Sequence, residues 1–414
     1  MPQSFLRSLL PNLPRLCRAW AFLLPAWSLS FAADLPAQAA DNAAARPDTS
    51  SWLMYIGTYT RGEDAGRPAS EGIYVTRFDA SNGTFGKVQL AAQTKDPSFL
   101  AIHPSGRHLY CVGESGNFGG SGEGVVQSFA IDVQTGLLKM LNEQTAGGAG
   151  PCHLVVDKSG SAVLVANYGG GSVESIRLEK DGRLGAVASF HQHKDPAGEK
   201  EPRGHSVNLD AANRFAYVAD LGLDQVLIYG FDQATGKLAD APNHATLDPK
   251  DGPRHFTFHP SGKYAYVINE SSKTVTAFTC DPATGRLTTL QKISTLPTGV
   301  DQPGGSTAEI VMHPSGRFVY GSNRGHDSIA VYAIQQDSGR LDMVEVEPIG
   351  GRTPRNFAID PSGRFLLAEG QDSDSITVFS IDPQSGALTP TGIRLEVPSP
   401  VCIRFLNPAL PASR

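Results

Sequence analysis

The sequence predicts an all-β fold, a seven-bladed β-propeller with four-stranded antiparallel blades. The first observation is a turn with the pattern HPSGKYAYVINE, which begins at His259 and recurs about every 50 residues. The second is an alternating strand that ends in a short Gly-containing loop, as in KTVTAFTCDPATG, of which seven copies occur. Because no comparable helical period appears, a ring of β-sheets is favoured over a helical solenoid.

The fourth residue of each repeated turn favours a tight reversal of the chain. These residues are Gly106, Gly160, Asn213, Gly262, Gly316 and Gly363. Gly and Asn accept a positive φ more readily than other residues do. We therefore expect each turn to join the innermost strand of a blade to the second strand.

The two ends of the chain predict how the ring closes. The C-terminal segment that starts at Pro400, PVCIRFLNP, resembles the innermost strands PRHFTFHP and PRNFAIDP. The N-terminal segment SWLMYIGTYT resembles a second strand that lacks its first. The C-terminal strand is therefore expected to supply the inner strand of blade one, which removes an open sheet edge. By this repeat count the propeller domain covers residues 48–408.

The composition is that of a globular protein rather than a disordered one. Of 414 residues, 18% are charged and 40% are hydrophobic. The formal net charge of -6 argues against a nucleic-acid partner and against binding to an anionic membrane. The oligomeric state is left open.

The first forty residues predict export. Arg7, Arg15 and Arg18 precede an apolar stretch, AWAFLLPAWSLSFAA, which is followed by an Ala-rich run. This order is typical of a secretory signal peptide, here a leader over residues 1–40 with cleavage after Ala33 or Ala40. The alternative, a transmembrane anchor, needs a longer uninterrupted apolar run. The mature protein is therefore expected to be periplasmic or secreted, and not membrane-bound.

The cysteines predict neither a metal cluster nor a redox motif. Removal of the leader leaves Cys111, Cys152, Cys280 and Cys402, which are scattered and show no CxxC spacing. We expect isolated and mostly buried strand cysteines. No cofactor and no metal site are expected, since no His-rich ligand spacing occurs either.

The repeat arithmetic predicts a ring of polar residues around the central channel. Counted from Gly262, Arg254 lies eight residues before and Glu270 eight residues after, so an antiparallel hairpin places them opposite each other at the channel mouth. The same offsets select Ser98, Cys152, His205, Ala308 and Arg355 before the turns, and Glu114, Tyr168, Leu221, Arg324 and Gln371 after them. One residue inward lie His153, His255, Glu309, Asn356, Asn167, Asp220, Asn269 and Asn323. A slip of one residue would change which side chains face the channel.

Convergent ionisable groups at a propeller mouth favour a binding or catalytic site. The alternative is an ordinary surface on which these groups pair for solubility. The histidines of the repeated turns, His103, His259 and His313, directly precede Pro and are expected to be structural. His191 and His193, in the loop HQHKDPAGEKEPRGH, are expected to be solvated rather than metal ligands.

Three segments resemble one known family, the lactonase family of seven-bladed propellers. They are GPRHFTFHPSGKYAYVINE, YGSNRGHDSIAVY and GRTPRNFAIDPSGRFLLAEGQDSDSITVFSID, and the resemblance covers nearly the whole mature chain. The family includes the propeller type of 6-phosphogluconolactonase and the fungal carboxy-cis,cis-muconate lactonising enzyme. The resemblance implies a sugar lactonase whose catalytic residues are His205, Arg254, Glu270 and Arg324. The expected substrate-binding residues are the ring members His153, His255, Asn269, Asn323 and Arg355.

The chemistry of lactone opening suits these residue types. The reaction needs an activated water, stabilisation of a carbonyl oxyanion and a proton for the departing alkoxide. His205 or Glu270 can be the base; His205 is favoured because Arg254 beside Glu270 stabilises the ionised carboxylate. Arg254 and Arg324 are expected to stabilise negative charge or to bind a substrate carboxylate or phosphate.

Three functions remain open from the sequence. The first is an exported lactone hydrolase of the gluconolactonase type. The second is a cycloisomerase that forms a lactone from an unsaturated acid with the same residues. The third is a non-catalytic propeller that binds a ligand, since propellers host unrelated functions. A phosphogluconolactone is made in the cytoplasm, so either the substrate is a different, periplasmic lactone or sugar acid, or the N-terminal segment is not an export signal.

Overall fold

The computed structural model describes residues 51–60, 69–114, 122–240 and 242–408. The expected leader and its cleavage sites lie outside these residues. Strands account for the regular structure, and the described residues contain no α-helix, only a short 3-10 helix at Gln371–Ser373. None of the described segments forms a helix with the length and apolar character to cross a membrane.

The described residues contain thirty strands. The first twelve are β1 Ser51–Thr58, β2 Gly72–Asp79, β3 Thr84–Phe85, β4 Gln89–Gln93, β5 Leu100–Ile102, β6 His108–Gly113, β7 Val125–Ile131, β8 Leu138–Thr145, β9 Pro151–Val156, β10 Ala162–Asn167, β11 Ser172–Leu178 and β12 Leu184–Gln192. The next nine are β13 Gly204–Leu209, β14 Phe215–Asp220, β15 Gln225–Asp232, β16 Lys237–Leu238, β17 Asn243–Thr246, β18 Pro253–Phe258, β19 Tyr264–Asn269, β20 Thr274–Cys280 and β21 Leu287–Ser294. The last nine are β22 Ser306–Met312, β23 Phe318–Arg324, β24 Ser328–Ile334, β25 Leu341–Pro348, β26 Phe357–Ile359, β27 Phe365–Gly370, β28 Ser375–Ile381, β29 Leu388–Glu396 and β30 Pro400–Leu406.

These strands form seven antiparallel sheets arranged in a ring, which confirms the predicted propeller. Blades two to seven each take consecutive strands, and the outer strand is split into two short pieces in blades one and four. The inner strands contact one another in the order β5, β9, β13, β18, β22, β26 and β30, and β30 contacts β5. The inner strands therefore enclose one central channel.

The C-terminal strand closes the ring in blade one, as predicted. β30 pairs antiparallel with β1, with Leu53 opposite Leu406 and Ile56 opposite Ile403. Without β30 the buried strand β1 would expose a row of unpaired backbone groups. The closing pair therefore joins the two ends of the chain and completes the wall of the channel.

The hydrophobic core lies between adjacent blades rather than at the centre of the ring. Tyr266 and Ile268 of blade five pack with Ile310 and Val319 of blade six, and equivalent clusters fill the other blade interfaces. The second strands are buried on both faces, so β19 is buried at every residue. The outer strand β21 is mostly part-buried or exposed, as its polar residues require. The cysteines are free, and three of the four are buried, as expected.

The repeated turns adopt the expected conformation and also tie neighbouring blades together. All six predicted positions have positive φ: Gly106, Gly160, Asn213, Gly262, Gly316 and Gly363. At one of them, His259 accepts a hydrogen bond from Ser261 N–H at Nδ1, and its Nε2 donates to the Gly316 carbonyl of the next blade at 2.8 Å. His103 and His313 make the equivalent bonds to Gly160 and Gly363. The structural role predicted for these histidines is confirmed.

The channel end of the inner hairpins departs from the predicted register. Arg254 does not lie opposite Glu270: Pro253 pairs with Asn269 and His255 with Ile268, so Arg254 occupies a β-bulge. The pairing of the inner and second strands shifts at the same end in four other blades. A bulge inserts one extra residue and re-aims side chains. Consequently Arg254 and His255, although consecutive, both line the pocket at the channel mouth.

Replacing His259 with Ala tests the link between blades five and six. The change removes the bond to the Gly316 carbonyl and a bond to the turn. We expect the free energy of unfolding to fall by about 1–3 kcal/mol, since each lost hydrogen bond contributes about 0.5–1.5 kcal/mol and His259 makes bonds to both Ser261 and Gly316. Urea denaturation at pH 7 measures this free energy of unfolding. The exposed His244 is the matched control, and its replacement by Ala should change stability by less than about 0.5 kcal/mol. Equal effects of the two variants would contradict the linking role.

Candidate active site

A carboxylate is held between two arginines at the end of the inner hairpins opposite the repeated turns. Glu270 Oε2 lies 2.8 Å from Arg254 Nε and 3.0 Å from Arg324 Nη2. The side chain of Arg254 is only 1% exposed, whereas those of Glu270 and Arg324 are 24% and 18% exposed. The structure thus brings three of the four predicted catalytic residues into direct contact, despite the shifted register.

Backbone carbonyls hold both guanidinium groups in place. Arg254 Nη1 donates to the Ala308 carbonyl at 2.8 Å, and Arg324 Nη2 donates to the Thr307 carbonyl at 2.9 Å. Burial and the positive charge of Arg254 lower the pKa of Arg324 to about 10, against the opposing effect of Glu270. Both arginines stay cationic at neutral pH, in surroundings that compensate their charge incompletely.

A second ion pair lines the mouth beside the first. Arg355 Nη2 lies 3.6 Å from Glu114 Oε2, and the same oxygen accepts a hydrogen bond from the Tyr59 hydroxyl at 2.7 Å. The Arg355 guanidinium also lies over the Tyr59 ring, 5.2 Å from its centroid. Tyr59 was not predicted, since it follows β1 outside the repeated hairpin. The two clusters together contain three arginines and two glutamates, so the mouth favours an anionic ligand.

His205 lies at the mouth, but it lacks a carboxylate partner. It occupies the bulge of β13, with its ring 5.2 Å from that of Tyr168 and 5.3 Å from that of His255. Its Nδ1 is 3.6 Å from the Cys152 thiol sulfur, and among the described residues no ion pair involves it. Burial, followed by the charge of Arg254, lowers the pKa of His205 well below its ordinary value. The imidazole is therefore neutral at neutral pH.

His255 has the carboxylate partner that His205 lacks. Its Nδ1 lies 2.8 Å from Glu309 Oε1, which also accepts the Ile310 N–H at 2.9 Å. The Asn356 amide donates to the other oxygen, Glu309 Oε2. Burial and then Arg254 lower the pKa of His255 well below its ordinary value, whereas burial raises the pKa of Glu309. The sequence placed these residues near the channel but did not predict that they pair.

Beyond His255 the channel widens into a cavity of about 350 Å³. Its walls come from six inner strands, and its polar lining includes His153, Asn208, Thr257 and Arg404. The Arg404 guanidinium lies over the Phe99 ring, 4.5 Å from its centroid, and His153 packs against the same ring at 4.1 Å. Of the predicted substrate-binding residues, His153 thus faces the deep part of the channel. Arg404 was missed because it lies in the closing strand, outside the offsets that were counted.

Two of the predicted substrate-binding residues point into the blades instead of the channel. Asn269 Nδ2 donates to Thr274 and Thr276 of its own blade, both at 2.9 Å. Asn323 Nδ2 donates to the Thr295 carbonyl at 2.9 Å, and both asparagines are buried. Each amide braces a strand end, because successive residues of a strand face opposite sides of the sheet. The structure does not bring Asn269 or Asn323 to the site.

The expectation that His193 is solvated is wrong. Its Nδ1 lies 2.6 Å from Asp220 Oδ2, and both side chains are fully buried. Asp220 Oδ1 also accepts the Arg203 N–H at 2.8 Å, so the pair anchors the loop that leads into His205. His191 is partly exposed, and its Nε2 lies 3.3 Å from the Leu238 carbonyl. His191 and His193 therefore stabilise the structure around this loop.

Comparison with known proteins supports the fold and also identifies similar proteins. A family model described as lactonase, seven-bladed β-propeller, matches residues 53–405. The chain is 35% identical over 360 residues to the 6-phosphogluconolactonase of Bacillus subtilis, covering 86% of this chain and 99% of that protein. It is 33% identical over 315 residues to the 6-phosphogluconolactonase of Formosa agariphila, covering 74% and 86%.

A solved structure shows the same similarity in three dimensions. The periplasmic gluconolactonase of Pseudomonas aeruginosa superposes with a TM-score of 0.78 and 32% sequence identity. The match covers 86% of this chain and 99% of that one. The family match spans most of the chain and nearly all of its strands. This chain therefore belongs to the lactonase family of seven-bladed β-propellers.

Proposed function

We propose that this protein hydrolyses a sugar lactone at the channel mouth, in the manner of a 6-phosphogluconolactonase or gluconolactonase. The observation that carries the proposal is Glu270 bridging two arginines at the mouth of a lactonase-family propeller. Relatives at 33% and 35% identity bear the name 6-phosphogluconolactonase. The lactone ring is expected to lie over Glu270, where the three arginines of the mouth outnumber its two glutamates.

The arginines supply the electrostatic part of the reaction. Attack on a lactone carbonyl places negative charge on the carbonyl oxygen, and preorganised cations stabilise that charge most strongly where water is excluded. Arg254 and Arg324 are held by backbone carbonyls, so they need little rearrangement when the charge develops. Arg355 lies beside them and suits a carboxylate or phosphate on the substrate.

Glu270 orients the arginines rather than serving as the base. Its Oε2 is already in contact with both guanidinium groups, which leaves that oxygen poorly placed to accept a proton from water. The water is activated instead by a neutral imidazole at the mouth, a role for which the sequence favoured His205 and for which the structure also offers His255. The same group then returns the proton to the departing alkoxide.

An exported location fits this function. The sequence predicts a cleaved leader, and one similar solved structure is a periplasmic gluconolactonase. We therefore place the protein in the periplasm or outside the cell, where its substrate is a lactone of that compartment. Fractionation of cells that express the full chain, followed by N-terminal sequencing, tests the location and the cleavage site together.

Acid release from a panel of sugar lactones, with and without phosphate, tests the activity, and Glu270→Gln tests the site. The substitution removes the charge that holds Arg254 and Arg324, and we expect kcat/KM to fall by about 100-fold or more. Spontaneous hydrolysis in buffer is subtracted at each pH. The exposed Glu179 is the matched control, since its replacement by Gln leaves the mouth unchanged.

Three outcomes separate the alternatives. Lactone hydrolysis that is lost in Glu270→Gln but kept in Glu179→Gln supports the proposal, provided that both variants melt above the assay temperature. Lactone formation from an unsaturated acid, without hydrolysis, would identify a cycloisomerase. No turnover of any lactone, with saturable binding of a sugar acid, would identify a ligand-binding propeller.

The pH dependence of the reaction follows from the buried histidines. Burial and the nearby arginines lower the pKa of His205 and His255 well below the ordinary value, so the neutral base persists as the pH falls. We expect kcat/KM to stay level between about pH 7.5 and 6, whereas an exposed histidine is half protonated near pH 6.5. A loss of activity centred near pH 6.5 would show that the base is an ordinary, solvated histidine.

A further inference from the structure

Two histidines at the channel mouth differ in what their Nδ1 atoms contact. The Nδ1 of His205 lies beside a thiol, Cys152 Sγ, at 3.6 Å. The Nδ1 of His255 lies beside a carboxylate oxygen, Glu309 Oε1, at 2.8 Å. A carboxylate at Nδ1 fixes the imidazole tautomer, because the ring must carry its proton there to donate the bond. His255 is therefore held with the lone pair on Nε2.

The Nε2 of His255 has no hydrogen-bond partner among the described residues, although the atom is buried. A buried polar atom without a partner is unusual and points to a missing water or ligand. His255 lines both the pocket at the mouth, with Arg254 and Arg355, and the cavity below. The His255 ring therefore borders the space beside Arg254 and Arg355, next to which a water held on its Nε2 would lie.

Glu309 is itself held on both oxygens. Oε1 accepts the Ile310 N–H and Oε2 accepts the Asn356 side-chain N–H, while Asn356 Oδ1 accepts the Ile403 N–H at 3.4 Å. The chain of contacts therefore runs from blade five through blades six and seven to the closing strand of blade one. This order, an imidazole oriented by a fixed carboxylate, is the arrangement by which enzymes position a histidine base and stabilise the imidazolium.

We propose that His255, rather than His205, takes the proton of the attacking water, and that Glu309 and Asn356 are its positioning residues. The inference rests on the lactone hydrolysis proposed above and adds the identity of the base. His205, on the adjacent inner strand, contacts the substrate.

The proton and electron movements balance within the site. One O–H bond of the water breaks, its proton passes to His255 Nε2, and the water oxygen bonds to the lactone carbonyl carbon. The carbonyl electron pair moves to the oxygen that faces Arg254 and Arg324. When that pair returns, the ring C–O bond breaks and the departing alkoxide takes the proton from His255. The hydroxy acid leaves, and its carboxylic proton passes to solvent.

The kinetic test compares His255→Gln, His205→Gln and Glu309→Gln on the lactone that the wild type hydrolyses. We expect His255→Gln to lower kcat by about 10³-fold with KM changed less than about threefold, within the range for loss of a general base. Glu309→Gln should lower kcat by about 10-fold to 100-fold, and His205→Gln should mainly raise KM. His313→Gln, at a turn on the opposite face, is the control for a histidine change that leaves the site intact.

Chemical rescue separates a catalytic role from a structural one. Added imidazole should restore turnover to His255→Ala, because the small molecule enters the space of the lost ring, and should restore none to His205→Ala. The rate of imidazole alone with the lactone is subtracted. Rescue of His205→Ala only, or a loss of kcat in His205→Gln but not in His255→Gln, would overturn the assignment of the base.

A second measurement does not depend on turnover. In ¹⁵N-histidine NMR of the mature protein, the His255 ring should show the Nδ1–H tautomer. Its signals are assigned by their loss in His255→Gln, and they should shift in Glu309→Gln. His259 and His313 provide internal references for the opposite tautomer, since their Nδ1 atoms accept backbone N–H bonds. An Nε2–H tautomer at His255 would overturn the proposal even if the variant failed to fold.

The outcomes also separate this inference from the function on which it rests. Wild-type turnover that His255→Gln retains would overturn the base assignment and leave lactone hydrolysis standing. Absence of turnover by the wild type on every lactone of the panel would overturn both.

Discussion

The pairing of β30 with β1 is the contact on which the channel and its site depend. It joins the two ends of the chain inside one blade, so all seven inner strands face a common axis. The seam is also bonded sideways, since the Leu100 N–H donates to Cys402 Sγ and the Ile403 N–H lies near the Asn356 side chain. Residues from distant parts of the sequence can therefore meet at the axis without long loops.

The bulge at the channel end of the inner strands decides how many side chains reach that axis. A regular strand presents every second residue to the channel. The extra residue at Arg254 lets His255 face the channel as well, and the equivalent shift brings His205 and Cys152 to the mouth. The short inner strands thus contribute to two polar layers, Arg254 and His205 above and the His255–Glu309 pair below.

Burial then sets the chemistry of these layers. The arginines keep their charges at neutral pH because they contact carboxylates and carbonyl oxygens, whereas the nearby histidines lose affinity for protons. Cationic side chains and neutral imidazoles in one enclosed mouth provide both requirements of lactone hydrolysis, stabilisation of an oxyanion and acceptance of a proton. Neither group could serve as well in open solvent, where water screens the charges.

The sequence by itself determined the ring of seven blades, its closure by the C-terminal strand and the position of the turns. These follow from local signals: Gly262 and its equivalents take a positive φ, and apolar residues alternate along each strand. It also placed Arg254, Glu270 and Arg324 at one mouth, because the repeat length puts equivalent residues at equivalent places. Only the tertiary structure decided that Asn269 turns into the blade, that His193 is buried against Asp220, and that His255 pairs with Glu309. The physical reason is that a bulge changes side-chain direction without changing the repeat length, and that contacts between neighbouring blades join residues about 50 positions apart.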